Sequence, residues 1–238
     1  MTIKIESFAS SSNGNLYRIS DGHSTLLIEA GLPIAKIKKA LDYQLSEVDG
    51  CLVTHEHQDH TKAVHDLLKA GVDCAMSIGT AQAIGCLNHR RCYTLKATRR
   101  DDFHGWTVLP FPIEHDCAES LGFLLMSKIT RERVMFATDT AYIRPRFFGL
   151  NYVMVECNYD TQTISENLTS GELSSAQYER ILGTHFGLNN VVEFLKANDL
   201  SKVKEIHLLH LSRGNANEER ILSTIKRLTG LPVYVAGE

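Results

Sequence analysis

No apolar run in the 238-residue chain approaches the roughly 18 residues needed to span a bilayer, and Met1-Thr2-Ile3-Lys4-Ile5-Glu6 lacks the apolar stretch of an export signal. The expectation is a cytoplasmic protein with no membrane partner. Cysteine is scarce: six residues, none paired as C-x-x-C, read as free and mostly buried thiols rather than as a disulfide framework. Proline is scarcer, at 5, and neither it nor the 16 glycines cluster into a linker, so residues 1–238 are read as one domain. Positive charge is not in excess either. With 25 basic against 28 acidic residues the net charge is −3, so no global field draws the chain to nucleic acid, and any polyanion must be gripped locally. At 43% hydrophobic and 22% charged, the composition excludes disordered, collagen-like and coiled-coil chains.

Short runs rich in Val, Ile, Leu and aromatics predict about a dozen strands, at 3–8, 16–20, 25–29, 50–54, 73–77, 92–96, 106–113, 122–127, 134–137, 152–156, 205–209 and 232–235. Helical spacing predicts helices at about 33–44, 61–70, 79–88, 174–182, 188–197 and 216–229. Asn215, with Glu218 three residues on, reads as the start of the last helix and Gly230 as its stop. The segments 88–91 and 98–102 read as polar, charge-mixed loops. Strands mixed with helices along the chain give an α/β class.

Histidine is what the chain has in number, 11 in all, and their placement carries the chemistry. After the apolar Gly50-Cys51-Leu52-Val53-Thr54 comes His55-Glu56-His57-Gln58-Asp59-His60, an H-x-H-x-D-H pattern followed by an amphipathic helix. His55 and His57 are separated by one residue, so at an extended strand end both imidazoles leave on one side and can share a cation. Asp59 and His60, opening the helix, offer a carboxylate and an imidazole to a second. Such donors suit zinc, manganese or iron and disfavour magnesium or calcium. Further ligands are expected where other apolar runs stop: His115 after Ile113-Glu114, Asp139 after Val134–Thr138, and His210 after Ile206–Leu209. His207 is out of phase with His210 and is expected either to be packed or to stand behind the ligands, where its loss matters less. His23, His65, His89 and His104 have no partner in the pattern and are expected at the surface or in structural roles.

These motifs, spread over nearly the whole chain, resemble the metallo-β-lactamase superfamily. The resemblance implies an αββα four-layer sandwich with a pair of divalent metal ions at one edge. It implies one ion on His55, His57 and His115, the other on Asp59, His60 and His210, and Asp139 bridging them. The family carries an aspartate before Ala-Gly, hydrogen-bonded behind the H-x-H loop; here that place belongs to Glu29, before Ala30-Gly31. Four further segments look like the YycJ (WalJ) branch of nuclease-like members: Ser10–Asn15, Glu156–Asp160, His185–Asn190 and His210–Asn215. The interval from Asp139 to His210 is too short for the inserted domain of the β-CASP nucleases. A secreted β-lactamase usually places Cys where Asp139 stands.

The expected activity is phosphodiester hydrolysis by a metal-bridging hydroxide. Nucleic acid is the expected partner, DNA ahead of RNA, with a small phosphodiester as the other candidate. Asp59, Asp139 and His185 are the candidates for direct catalytic roles, His185 as a donor to phosphate or to the leaving oxygen. Asn13, Asn158, His185, Ser212 and Arg213 are the candidate substrate contacts, Arg213 joining the N-terminus of the helix at Asn215 in an anion site. Arg90, Arg91, Arg99, Arg100, Arg144 and Arg146 are read first as solvated surface, with a nucleic-acid track as the alternative. Two rival readings stand: a thioesterase of glyoxalase type or a lactone hydrolase on the same fold, and a metal-binding scaffold without catalysis. An intact donor set weighs against the last, because buried imidazoles and carboxylates cost stability unless a cation satisfies them. The sequence carries no signal of oligomeric state.

Overall fold

The computed structural model describes residues 2–237, which divide into two compact units. The first runs to Pro112 and takes in Cys117–Glu132. Its strands β1 (Lys4–Ser11) and β2 (Gly14–Ser20) form an antiparallel hairpin with a register shift between Ser7 and Ala9. Beside β2 lie β3 (Thr25–Ile28), β4 (Gly50–Leu52), β5 (Asp73–Ser77) and β6 (Cys92–Leu95), in that order, with β3 to β6 mutually parallel. Parallel strands are buried on both faces, so Leu26-Leu27-Ile28 and Cys74-Ala75-Met76 are apolar without alternation. Helices α1 (Ile34–Ala40), α2 (Gln58–Thr61), α3 (Val64–Ala70) and α4 (Ile78–Ala83) make the crossovers. Gly71, at φ 95°, stops α3, and the Ser77 hydroxyl caps α4 by accepting from the Thr80 amide. Leu27, Ile37, Cys51, Val64, Leu67 and Cys74 share one buried cluster. Three further strands of this unit, β7 (Asp101–Phe103), β8 (Trp106–Pro112) and β9 (Leu121–Ser127), pair antiparallel around the fully buried Trp106.

The second unit comprises Ile113–Asp116 and Arg133–Ala236. Strands β10 (Arg133–Ala137), β11 (Tyr152–Glu156), β12 (Glu205–Leu209) and β13 (Val233–Val235) are parallel neighbours in that order. Helices α5 (Thr161–Ser170), α6 (Ser175–Thr184), α7 (Leu188–Ala197) and α8 (Glu218–Thr229) connect them. Burial of Leu188, Val191, Phe194 and Leu195 gives α7 one apolar face. On α8, Ile221 and Ile225 are buried, Glu218 and Glu219 open the helix, and Lys226 and Arg227 close it, with charge matching the helix dipole.

Every strand expected from the sequence is present; among the described residues one strand, one α-helix and a short 3-10 turn at Leu45–Glu47 lie outside the expected elements. Strand β7 occupies part of the segment read as a polar loop, because pairing of Asp101–Phe103 with Trp106–Val108 orders it. Helix α5 has only Ile164 buried and hence no apolar stripe to announce it. The start of the last helix is also corrected: its N-cap is Asn217, whose side chain accepts from the Arg220 amide, not Asn215.

One close approach fixes the chain that leaves β3. The Ala30 amide donates to the His60 carbonyl (2.8 Å), the Ala63 amide to the Ala30 carbonyl (2.9 Å) and the Gly31 amide to the Asn15 carbonyl (2.9 Å). A Cβ on Gly31 would lie 1.6 Å from the Asp59 carbonyl oxygen. Gly31→Ala must therefore push the loop carrying Asp59 and His60 away, and chemical denaturation should show a loss of roughly 2 kcal/mol or more. Gly183→Ala, in α6 with nothing near its missing Cβ, should instead leave stability unchanged or raise it by up to about 1 kcal/mol.

Candidate metal centre

Strand β4 stops at Leu52, and Val53-Thr54 leads into His55 and His57. The buried Glu29 sits at the neighbouring strand end with φ 67°, a left-handed conformation rare outside glycine. Its carboxylate can only accept, so the Thr54 hydroxyl donates to Oε1 at 2.6 Å. The Thr54 oxygen is then left to accept from His55 Nδ1 at 2.9 Å, which assigns the proton to Nδ1 and leaves a lone pair on Nε2. That Nε2 lies 3.2 Å from His57 Nδ1, so the two imidazoles present nitrogens to one point. His60 is buried with its ring centroid 4.1 Å from that of His55. Its Nδ1 is 3.3 Å from Glu29 Oε1, and its Nε2 is 3.3 Å from Asp59 Oδ2 and 3.2 Å from Asn15 Nδ2. Glu29 thus performs the hydrogen bonding behind the H-x-H loop that the resemblance ascribes to an aspartate.

In the second unit Asp139, Glu156, His185 and His210 bring one donor atom each within 4.8 Å of one another. Asp139 follows β10 at φ 46°, Glu156 ends β11 and His210 follows β12 at φ 53°. All three leave the carboxyl ends of adjacent parallel strands, the edge where open α/β sheets present ligand-binding groups. His210 Nδ1 is 3.2 Å from Asp139 Oδ1 and 3.4 Å from Glu156 Oε1, and the His185 and His210 rings stack at 5.6 Å. Glu156 Oε1 accepts from His185 Nδ1 at 2.6 Å, while Oε2 accepts from the amides of Thr140 and Phe186, each at 3.0 Å. Burial alone would raise the Glu156 pKa, but the charge and hydrogen bond of His185 hold it below the usual carboxylate value. Burial works against the charged form of His185 as well. The Glu156 carboxylate, with Asp139 and Asp116, overrides it and lifts the imidazole to about 9.

The remaining expected residues fall in distinct places. His115 Nδ1 lies 3.3 Å from the Thr184 carbonyl and its ring centroid 6.0 Å from that of His185. Asn158 is buried, donates to the His210 carbonyl at 3.0 Å and lies 3.2 Å from His210 Nδ1, so it orients that imidazole. The Ser212 hydroxyl accepts from the Asn215 amide. Asn13 is exposed at the tip of the β1–β2 hairpin, its amide donating to Ser11 Oγ, and Asn15 is the residue of that segment that reaches His60. The anion site expected where Arg213 meets a helix N-terminus is not formed. Helix α8 begins at Glu218, Asp160 Oδ2 already accepts from the Asn217 amide at 2.7 Å, and two glutamates occupy the first turn. Arg213 is exposed in the loop before it. His207 packs on Tyr234 and bonds Glu205, and His104 pairs with Asp73, in line with structural roles.

Glu156 and Thr54 were absent from the expected site. Glu156 carries the same signal as Asp139, a carboxylate where an apolar strand stops, but only the β10-β11-β12 register places it between Asp139 and His210. Thr54 reads as one more β-branched strand residue.

Buried imidazole nitrogens and carboxylate oxygens converging in this way are the donors that zinc, manganese or iron take. The sequence model of the family described as beta-lactamase superfamily domain matches residues 25–210. Exodeoxyribonuclease WalJ of Streptococcus pneumoniae serotype 2 (strain D39 / NCTC 7466) is 28% identical over 232 residues, covering 91% of this chain and 84% of its own. Exodeoxyribonuclease YycJ of Bacillus anthracis is 26% identical over 253 residues, covering 100% of this chain and 93% of its own. Among solved structures, the metallo-beta-lactamase fold protein YhfI from Bacillus subtilis aligns with a TM-score of 0.74 at 13% identity, over 100% of this chain and 99% of that one. The fold is therefore the α/β metallo-β-lactamase fold expected from the sequence.

Removing the buried acceptor shared by Thr140, Phe186 and His185 should be costly. Glu156→Ala is expected to lower the unfolding free energy by about 3 kcal/mol or more in urea titrations. Asp101→Ala, which removes only the exposed pair with Arg99, should change it by less than about 1 kcal/mol.

Proposed function

Because the chain belongs to the beta-lactamase superfamily domain family, we propose that it is a two-metal phosphodiesterase that degrades DNA from an end. What carries this reading is that two relatives aligned over nine-tenths or more of the chain are exodeoxyribonucleases. The reading takes residues 1–238 as one domain. His55, His57 and His115 would hold one divalent ion, and Asp59, His60 and His210 the other. Asp139 would lie against both. Zinc, manganese or iron fits these donors, and when bound such ions acidify water and neutralise charge developing on phosphate.

The chain's own residues then divide the work. Glu29 and Thr54 fix the His55 tautomer so that Nε2 would be the ligand atom, and Asn158 orients the His210 ring. His185 donates Nδ1–H to Glu156, which leaves Nε2 as the ring atom able to donate to a phosphate oxygen or to the departing sugar oxygen. Asp59 and Asp139 would supply the negative charge that offsets the cations. Arg213, in the exposed loop after His210, is assigned to a phosphate oxygen of the incoming strand. Among the described residues no helix is long and apolar enough to cross a membrane. Six cysteines outside any disulfide fit a reducing cytoplasm.

Oligonucleotides labelled at either end, single-stranded and duplex, DNA and RNA, with manganese or zinc, test the reading. Progressive release of mononucleotides from DNA is expected. Asp139→Ala should lower the rate at least about a hundred-fold, equivalent to about 2.7 kcal/mol, with an unchanged circular dichroism spectrum. A wild-type protein inert on every oligonucleotide, or an Asp139→Ala protein of full activity, would remove the proposal.

A further inference from the structure

The second unit holds a cavity of about 380 Å³, within the size range of small-molecule sites, formed where the loop after β10 arches over α7. The loop is pinned at both ends. Asn190 reaches the Ala141 carbonyl at 3.5 Å, and the Phe147 amide donates to Asn198 Oδ1 at 2.6 Å. Phe186 and Phe194 line the inside, and their rings meet edge to face at 6.5 Å. Tyr142 lines it too and keeps 49% of its surface exposed, with the Arg144 guanidinium 6.0 Å from its ring centroid. Arg146 and Lys196 complete the lining as exposed cations.

Three cations against the single Glu193 is a local excess of positive charge in a chain of net charge −3. Arg144 is partly answered by Glu114, at 2.5 Å; Arg146 and Lys196 have no ion-pair partner among the described residues. An exposed phenol ring, an apolar interior and two such cations fit an occupant that has a flat ring and an anionic group together. The place is apt as well. Tyr142 is three residues beyond Asp139, at most about 11 Å of chain, and Phe186 directly follows His185. A strand with one phosphodiester at the metal-binding side chains therefore has a neighbouring nucleotide within reach of the cavity.

Resting on the nuclease reading, we propose that this cavity seats one nucleotide of single-stranded DNA next to the scissile bond, its base against Tyr142 and its phosphate between Arg146 and Lys196. Stacking of bases on aromatic rings with cations tracking the backbone is how single strands are held without sequence preference.

Fluorescence anisotropy with a labelled, phosphorothioate-protected oligothymidylate and the metal-loaded protein tests it across a salt series. The double variant Arg146→Glu, Lys196→Glu should weaken binding at least about ten-fold and flatten the slope of log affinity against log salt by about one to two. Tyr142→Ala should weaken binding about ten-fold while keeping that slope. Reversing Lys226 and Arg227 on α8 should leave affinity within about two-fold. Should the wild type degrade DNA while the double variant keeps its affinity and slope, the cavity proposal falls and the nuclease reading stands. If charge reversal matters but Tyr142→Ala does not, the attraction is only electrostatic and the nucleotide seat is overturned. A wild type that neither binds nor degrades the strand overturns both.

Discussion

A buried carboxylate at a parallel strand end, tied to an imidazole, is the constraint on which the cluster of imidazoles and carboxylates in each unit depends. Glu29 beyond β3 and Glu156 at the end of β11 are wholly buried, and among the described residues neither pairs with a lysine or arginine. Burying such a charge is costly unless hydrogen bonds and a counter-charge satisfy it. Glu29 finds the Thr54 hydroxyl and His60; Glu156 finds two backbone amides and His185. Each satisfied carboxylate in turn fixes the rotation of its imidazole, and with that the direction of a nitrogen lone pair or N–H. Ring orientation is thereby made a property of the folded sheet rather than of a bound ion.

The backbone shows where this arrangement is strained. Glu29, Asp139 and His210 all have φ between 46° and 67°, a region that non-glycine residues occupy at a cost of order 1–3 kcal/mol each. All three sit within two residues of a strand's carboxyl end, where the left-handed turn stops the strand and swings the side chain toward its neighbours. Such strain persists only where surrounding bonds over-determine it. The amide of Glu29 donates to Leu52, that of Thr140 to Glu156, and Asn158 binds the His210 carbonyl.

How far the sequence announces this depends on the range of the interactions. The H-x-H-x-D-H segment is legible because its geometry is local: alternation at a strand end, then a helix start. The strands are legible because burial on both faces leaves unbroken apolar runs such as Val134–Ala137. Glu156 is hidden because its role comes from lying between two strands far away in sequence, with Glu156 opposite Leu209 in the register. The start of α8 is misjudged by two residues because Asn215 and Asn217 have equally good capping chemistry. The decision rests with Asp160, from the loop after β11, which accepts from the Asn217 amide and pairs with Arg220. The same contact removes the anion site that Arg213 was expected to share, since a carboxylate already stands where an anion would bind.

The glutamate at position 29 gains sense from its reach. An aspartate at a strand end satisfies one neighbour close by, whereas the extra methylene lets a single carboxylate oxygen meet both Thr54, at the end of the adjacent strand, and His60, on the helix after the loop. Those two contacts bracket the H-x-H segment on either side, so the loop is clamped at both ends by one side chain. Gly31 adds the third restraint, because only a residue without Cβ lets the Asp59 carbonyl approach this closely. Side chain, backbone and missing side chain thus act on the same six residues from one strand exit. Lengthening the carboxylate there therefore preserves the clamp, whereas adding a single carbon two residues later displaces the loop that the clamp holds.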